Sequence, residues 1–204
     1  MGIDLNDRWG YFLLRCSSDI PRAQNAKVIN MNKLGLILLC VSMSCSAAPQ
    51  MCFDQAGRDY QIDPLLLMSI SIRESRLRPA AVNKANNDGS EDVCGMQINS
   101  SHYGKLKMFN ITRTDLLNDP CVCVYTGGWV LAHNFRSYGK NWDSVGMYNT
   151  GPSKKLIKQR RAYAEDIRNI YRILLARKSI LEQRSAPEEE SQLTAKITPQ
   201  PLRD

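Results

Sequence analysis

Apolar residues recur at helical spacing through most of the chain between residues 52 and 176, which predicts a mainly helical protein. Residues 52–61 put Phe53, Ala56 and Tyr60 on one side of a short helix. Asp63-Pro64 reads as an N-cap followed by proline in the first helical position. From Leu65 to Ser75 the chain is apolar nearly all round, as a buried helix is. Pro79 disfavours helical geometry at Arg78, so this helix ends within a turn of Glu74. Asn83 to Ser90 is rich in Asn, Asp and Gly and predicts a short hairpin or loop.

The stretch Gly95 to Tyr103 reads as a return to helix. Asp119-Pro120 opens a longer helix to about Tyr138, carrying Val124, Trp129, Val130, Ala132 and Phe135. Trp142 to Tyr148 predicts a shorter one that ends at Asn149-Thr150-Gly151. Ser153 to about Ala176 is amphipathic, with Leu156, Ile157, Tyr163, Ile167, Ile170, Tyr171 and Leu174. After Lys178 the period fades. Pro187, Glu188-Glu189-Glu190, Pro199 and Pro201 predict a solvated, disordered tail over residues 177–204. No internal repeat interrupts this order, and the expectation is one mainly α domain, residues 49–176, with a small β-hairpin around residues 82–95.

The N-terminal part follows other rules. Met31-Asn32-Lys33, the apolar run Leu34 to Val41, and the small residues through Ala48 have the layout of a secretory signal peptide. The apolar run is too short for a bilayer, which needs about 20 residues. Residues 1–30 then read as an upstream extension, residues 31–48 as the leader and the periplasm as the destination. An uncleaved anchor is the alternative, and a lipidated Cys45 is disfavoured by the poor match of Ser42-Met43-Ser44.

The 204-residue chain has a formal net charge of +7, and residues 49–204 alone remain basic. No nucleic-acid motif accompanies that charge, and export favours an anionic envelope polymer or an ordinary solvated surface. Four cysteines follow the leader: Cys52, Cys94, Cys121 and Cys123. An even number in an exported chain favours disulfides, with three possible connectivities. A Cys121–Cys123 bond would close a strained ring, so Cys52–Cys121 with Cys94–Cys123 is favoured. Closing a loop of about 70 residues stabilises by roughly 4 kcal/mol in the chain-entropy view. Zinc is the rival, but there is no CxxC pair and no suitably spaced His, and nothing signals a cofactor.

Glu74 and Asp92 carry the most suggestive chemistry. Asp92 lies within Asp88-Gly89-Ser90-Glu91-Asp92, just ahead of Gly95-Met96-Gln97-Ile98-Asn99. Cutting a glycosidic bond needs a carboxylic acid to protonate the leaving oxygen, and often a second carboxylate to support the cationic sugar. Amide and hydroxyl side chains nearby can hold sugars in register.

Glu74-Ser75, Gly95-Met96-Gln97-Ile98-Asn99 and Tyr148-Asn149-Thr150-Gly151 follow the order and approximate spacing of lysozyme-like lytic transglycosylases, which the chain resembles from residue 52 to about 174. It is most similar to the small secreted members that accompany type III secretion, type IV pili and conjugation systems. The resemblance implies a lysozyme-like α+β fold and peptidoglycan glycan strands as substrate, with components of such an apparatus as further partners. Glu74 would be the catalytic acid, and Ser75 would hydrogen-bond near it. Met96 would line the sugar cleft, Gln97 and Asn99 would bind sugar groups, Tyr148 and Asn149 would form the cleft wall, and Tyr163 would stand beside the acid. The Asp88–Asp92 segment also resembles animal lysozymes, where it bears the second catalytic carboxylate, a role that would fall to Asp92.

Each role has a plainer counterpart. Glu74 could be a salt-bridged surface acid and Asp92 a turn residue. Ser75 could serve the helix end, Met96 and Tyr163 could be core, and Asn99 could be a cap. His102 and His133 match nothing catalytic, and Trp129 and Trp142 fit the core better than a sugar platform. Beside the transglycosylase reading stand two rivals: a hydrolase using Asp92 as nucleophile or water helper, and a wall-binding assembly factor with a degenerate site.

Overall fold

The computed structural model describes residues 50–197, with side chains described through Ser185. The extension at 1–30 and the leader at 31–48 lie outside the described residues. Helix α1 (Phe53–Tyr60) buries Phe53 and Ala56, and it stops where Gln61 turns left-handed. Helix α2 (Pro64–Ser75) begins as expected, with Asp63 Oδ1 accepting the Leu65 N–H at 2.8 Å and proline in the first turn. Its buried face includes Leu66, Leu67 and Ile70, together with Ser69 and Ser71. Both serines satisfy their hydroxyls on carbonyls, of Leu65 at 2.6 Å and Gly95 at 2.9 Å. Arg76 and Leu77 both adopt positive φ, which ends α2 one residue beyond Glu74.

Three two-residue strands follow: β1 (Val82–Asn83), β2 (Asp92–Val93) and β3 (Ile98–Asn99), antiparallel in that order. The register pairs Asn83 with Asp92 and Asp92 with Asn99, so these three form one cross-strand row. Val82, Val93 and Ile98 form the other row, of which Val93 and Ile98 are buried. The helix expected from Gly95 is corrected here. Cys94 and Gln97 take left-handed φ values of 63° and 48°, Gln97 N–H closes the turn onto the Cys94 carbonyl, and β3 follows. Helical geometry begins only at Ser100, because the Asn99 side chain caps the Ser101 N–H at 2.9 Å. Helix α3 (Tyr103–Leu106) and helix α4 (Arg113–Asn118) complete this middle segment, the latter opened by a Thr112/Asp115 capping box.

Helix α5 (Pro120–Tyr138) starts where Asp119 accepts the N–H groups of Cys121 and Val122, and it buries Val124, Trp129, Val130, Leu131 and Ala132. Cys121 and Cys123 in its first turn pair with Cys52 and Cys94, the favoured connectivity. The first bond ties α1 to α5. The second pins the 94–97 turn against the same helix. Helix α6 (Trp142–Thr150) is capped by Asn141 and packs on α5.

Helix α7 (Ile157–Ile197) packs against α2 and α6 through Tyr163, Ala164 and Ile167. It runs beyond Ala176 to Ile197, across part of the stretch that the sequence reads as a tail. Residues 172–185 are rich in Leu, Ile, Arg, Lys, Ala, Glu and Gln, mostly strong helix formers, and Lys178 and Glu182 pair one turn apart. Most of their side chains are exposed, so local propensity rather than burial sustains the helix there.

At the α6–α7 crossing the backbones nearly touch. A Cβ on Gly146 would meet the Arg160 carbonyl oxygen at 2.5 Å. Arg160 is itself 4% exposed, yet its guanidinium is satisfied by Asp143, Thr150 and the carbonyls of Gly151 and Ser153. In an open helical site Gly→Ala stabilises by about 1 kcal/mol. Gly146→Ala is expected to do the opposite and destabilise by about 1–3 kcal/mol in urea unfolding, because the clash is with backbone. A neutral or stabilising result would contradict the close packing.

Candidate active site

Glu74 is the penultimate residue of α2, half-buried, and it faces a cleft of about 790 Å³. Tyr163 of α7 donates its hydroxyl to Glu74 Oε1 at 2.5 Å. Burial raises the Glu74 pKa above the ordinary carboxylate value, the Tyr163 bond and the Arg73 charge pull it down, and the Asp92 charge raises it further. The net direction is upward. Arg73 is diverted: its Nε bonds Asp166 at 2.9 Å and its guanidinium lies 5.8 Å from the Tyr163 ring centroid. Tyr163 stays protonated because burial, and then the Glu74 charge, push its own pKa well above 10. A salt-bridged surface acid does not describe Glu74.

Asp92 lines the same cleft on β2. Its Oδ2 accepts N–H groups from Asn83 at 3.1 Å and Asn86 at 2.8 Å, and its Oδ1 accepts one from Asn99 at 2.8 Å. The cross-strand row supplies two of these donors and the 84–91 loop the third. Asn99 thus combines two local duties, holding Asp92 and capping Ser101, while still lining the cleft. Gln97 also lines the cleft, its amide anchored on the Cys94 carbonyl at 2.9 Å.

Two expected substrate contacts are corrected. Ser75 is 2% exposed and donates to the Gly95 carbonyl at 2.8 Å while accepting the Arg78 N–H, so it fastens the end of α2 to the 94–97 turn. The Met96 side chain is fully buried against Gly127 of α5, and it fills core space rather than meeting the cleft. Its backbone still serves the site, because the Met96 carbonyl accepts the Tyr148 hydroxyl at 2.9 Å. Burial, with the charges of Glu74 and Asp92, holds the Tyr148 pKa well above 10. Tyr148, Asn149, Thr150, Gly151 and Pro152 form one cleft wall.

The sequence reading missed several residues. Asn86 reaches both Asp92 and the cleft, and its turn-rich setting was the available signal. His102 and His133 line the cleft and both pack on Trp129, at ring centroid distances of 6.1 and 6.3 Å. Trp129 and His133 are four residues apart on α5, a spacing that puts both on one face. Trp129 is buried as expected, whereas Trp142 is half-buried beneath the Arg168 guanidinium, 4.8 Å from its ring centroid. Among the described residues no group of three or more His, Cys, Asp or Glu side chains converges as a metal site.

The transglycosylase SLT domain model matches residues 51–171, which contain every residue of this cleft. The X polypeptide of Escherichia coli is 39% identical over 154 residues, 72% of this chain and 86% of that protein. The invasion protein IagB of Salmonella typhimurium is 38% identical over 138 residues, 68% of this chain and 86% of that protein. Protein IpgF of Shigella flexneri is 38% identical over 141 residues, 69% of this chain and 91% of that protein. With the lysozyme-like arrangement of helices around a three-stranded sheet, these matches lead to one conclusion: the chain belongs to the transglycosylase SLT domain family of lytic transglycosylase-like proteins.

Proposed function

We propose that the protein is a peptidoglycan lytic transglycosylase, acting on the β-1,4 bond between N-acetylmuramic acid and N-acetylglucosamine. The observation that carries the reading is Glu74: half-buried, raised in pKa, held by Tyr163 and open to the cleft it shares with Asp92. In the first step the Glu74 proton goes to the bridging oxygen as the C1–O bond breaks and positive charge develops at C1. Asp92, fixed by three amide donors, supports that charge. The Glu74 carboxylate then takes the proton of the muramoyl 6-hydroxyl while O6 closes onto C1. The product is a 1,6-anhydro sugar, the acid is regenerated and no water is consumed. Export to the periplasm, and the opening of local wall gaps for a secretion, pilus or conjugation apparatus, complete the proposal. The name invasion protein, borne by one relative, fits such a role.

One observation favours a second reading. Asp92 lines the same cleft as Glu74, which is also what a hydrolase using a second carboxylate would need. The products separate the two, because an anhydro end is lighter by one water than a reducing end. Mass spectrometry of digested cell-wall sacculi is expected to find anhydromuramoyl ends. Reducing ends would overturn the transglycosylase reading in favour of hydrolysis. Glu74→Gln is expected to lower the rate by at least about 10²-fold, the scale of positioned general-acid catalysis, and an unchanged rate would remove Glu74 from the mechanism.

The pH profile follows from the causes acting on Glu74. Activity needs the protonated acid, so it falls as pH rises through the Glu74 pKa. Asp92→Asn removes a charge that raises this pKa, and the alkaline limb of kcat/KM is expected to move to lower pH. Tyr163→Phe removes a bond that lowers it, and the limb is expected to move to higher pH even as kcat falls. Shifts in the opposite directions would contradict this account.

A further inference from the structure

The cleft is chemically lopsided. Its carboxylates, Glu74, Asp88 and Asp92, come from the end of α2 and from the β1–β2 segment. The lining from α5 and the helical segment after β3 contains no acid, and there Ser101, His102, His133 and Asn134 supply the polar groups. The buried Trp129 indole packs on both imidazoles, edge-on to His102 and stacked on His133, so it fixes where both rings meet the cleft. The charged neighbours acting on His102 are Lys105, one turn along its own segment, and His133 on α5. Both are cationic or neutral, never anionic. Burial first, then these two, lower the His102 pKa, so near neutral pH the ring is uncharged and offers one N–H.

We propose that His102 and His133, backed by Lys105, form a subsite for the carboxylate-bearing stem peptide of the wall polymer. The inference rests on reading the cleft as a peptidoglycan site, and it adds that the cleft distinguishes peptide-bearing from bare glycan. In a peptide-bearing strand the muramoyl lactyl carboxyl is tied up as an amide, so the sugars are uncharged and the free carboxylates belong to the peptides. The acid-bearing side of the cleft repels those carboxylates. The ring pair offers them N–H donors in charge-assisted hydrogen bonds, and the exposed Lys105 ammonium adds attraction. A strand stripped of peptide, with its lactyl carboxyl groups capped as amides, has no charge to respond to either side. The competing use of the same rings is a stacking platform for one more sugar, which would serve both kinds of strand equally.

The test uses the Glu74→Gln protein, so that nothing is turned over. Calorimetry compares glycan oligomers of one length, either peptide-bearing or stripped of peptide by an amidase and then capped as the lactyl amide, so that the stripped strand is uncharged. The peptide-bearing oligomer is expected to bind about tenfold more tightly, the scale of a hydrogen bond to a charged group. Adding His102→Gln with His133→Gln is expected to erase most of that preference and to leave the affinity for stripped oligomer unchanged. Lys105→Glu, at an exposed position where folding is not at stake, is expected to reduce the preference as well. Equal affinity for the two oligomers at the outset would overturn the proposal, as would a preference that survives both changes. So would equal losses on both oligomers, which would mark a sugar platform, or no binding of either. Failure of the cleavage reading looks different: the unsubstituted protein leaves sacculi intact while the peptide preference persists.

Discussion

The contact between the Tyr163 hydroxyl and the Glu74 carboxyl is the constraint on which the rest of the site depends. It joins the end of α2 to the second turn of α7, between two residues 89 apart in sequence. Either partner alone is unremarkable: one acid near a helix end, one tyrosine on an apolar face. Joined, they give an acid that is rigidly aimed and too poorly solvated to ionise readily. The Tyr163 bond opposes the rise in pKa, yet burial outweighs it, so the acid is oriented by the tyrosine and kept acidic by its surroundings.

Around that contact the chain assembles supports that each have a local cause. The Cys94–Cys123 bond and the Ser71 and Ser75 hydroxyls hold the 94–97 turn against α5 and α2. The turn in turn presents Gln97 and sets β3, whose Asn99 completes the amide set around Asp92. Two non-glycine residues in left-handed geometry occupy this one turn, a conformation that persists because a disulfide and several hydrogen bonds over-determine it. On the other side Arg160 fastens the carbonyls of Gly151 and Ser153 to α7, so the wall beginning at Tyr148 and the tyrosine behind the acid rest on one helix.

Much of this was legible in the sequence because the signals were local. Asp63-Pro64 and Asp119-Pro120 announced two helix starts, and Pro79 together with the motif order put Glu74 at a helix end near a cleft. Excluding the strained Cys121–Cys123 ring left two cysteine pairings, and the favoured one of them is the pairing the structure has. What the sequence hid was set by tertiary contacts. Met96 reads as a cleft residue within its motif, but Gly127 on a distant helix opens the space that takes its side chain inward. The helix read from Gly95 fails because Asn99 caps Ser101 and the preceding turn is tied to α5. Residues 177–185 lack an apolar stripe, and periodicity alone undervalues a helix carried by propensity. His102 and His133 matched no motif, and their meeting across Trp129 exists only in three dimensions.

A carboxyl held in its acid form by burial is the central claim, and it can be observed without turnover. Carbon-13 NMR titration of the Glu74 side-chain carboxyl, assigned by difference against Glu74→Gln, reads its protonation directly. The account predicts a midpoint above the ordinary glutamate value of 4.5. A midpoint at or below that value would mean that the Tyr163 bond and the Arg73 charge outweigh desolvation, and Glu74 could not serve as the proton donor.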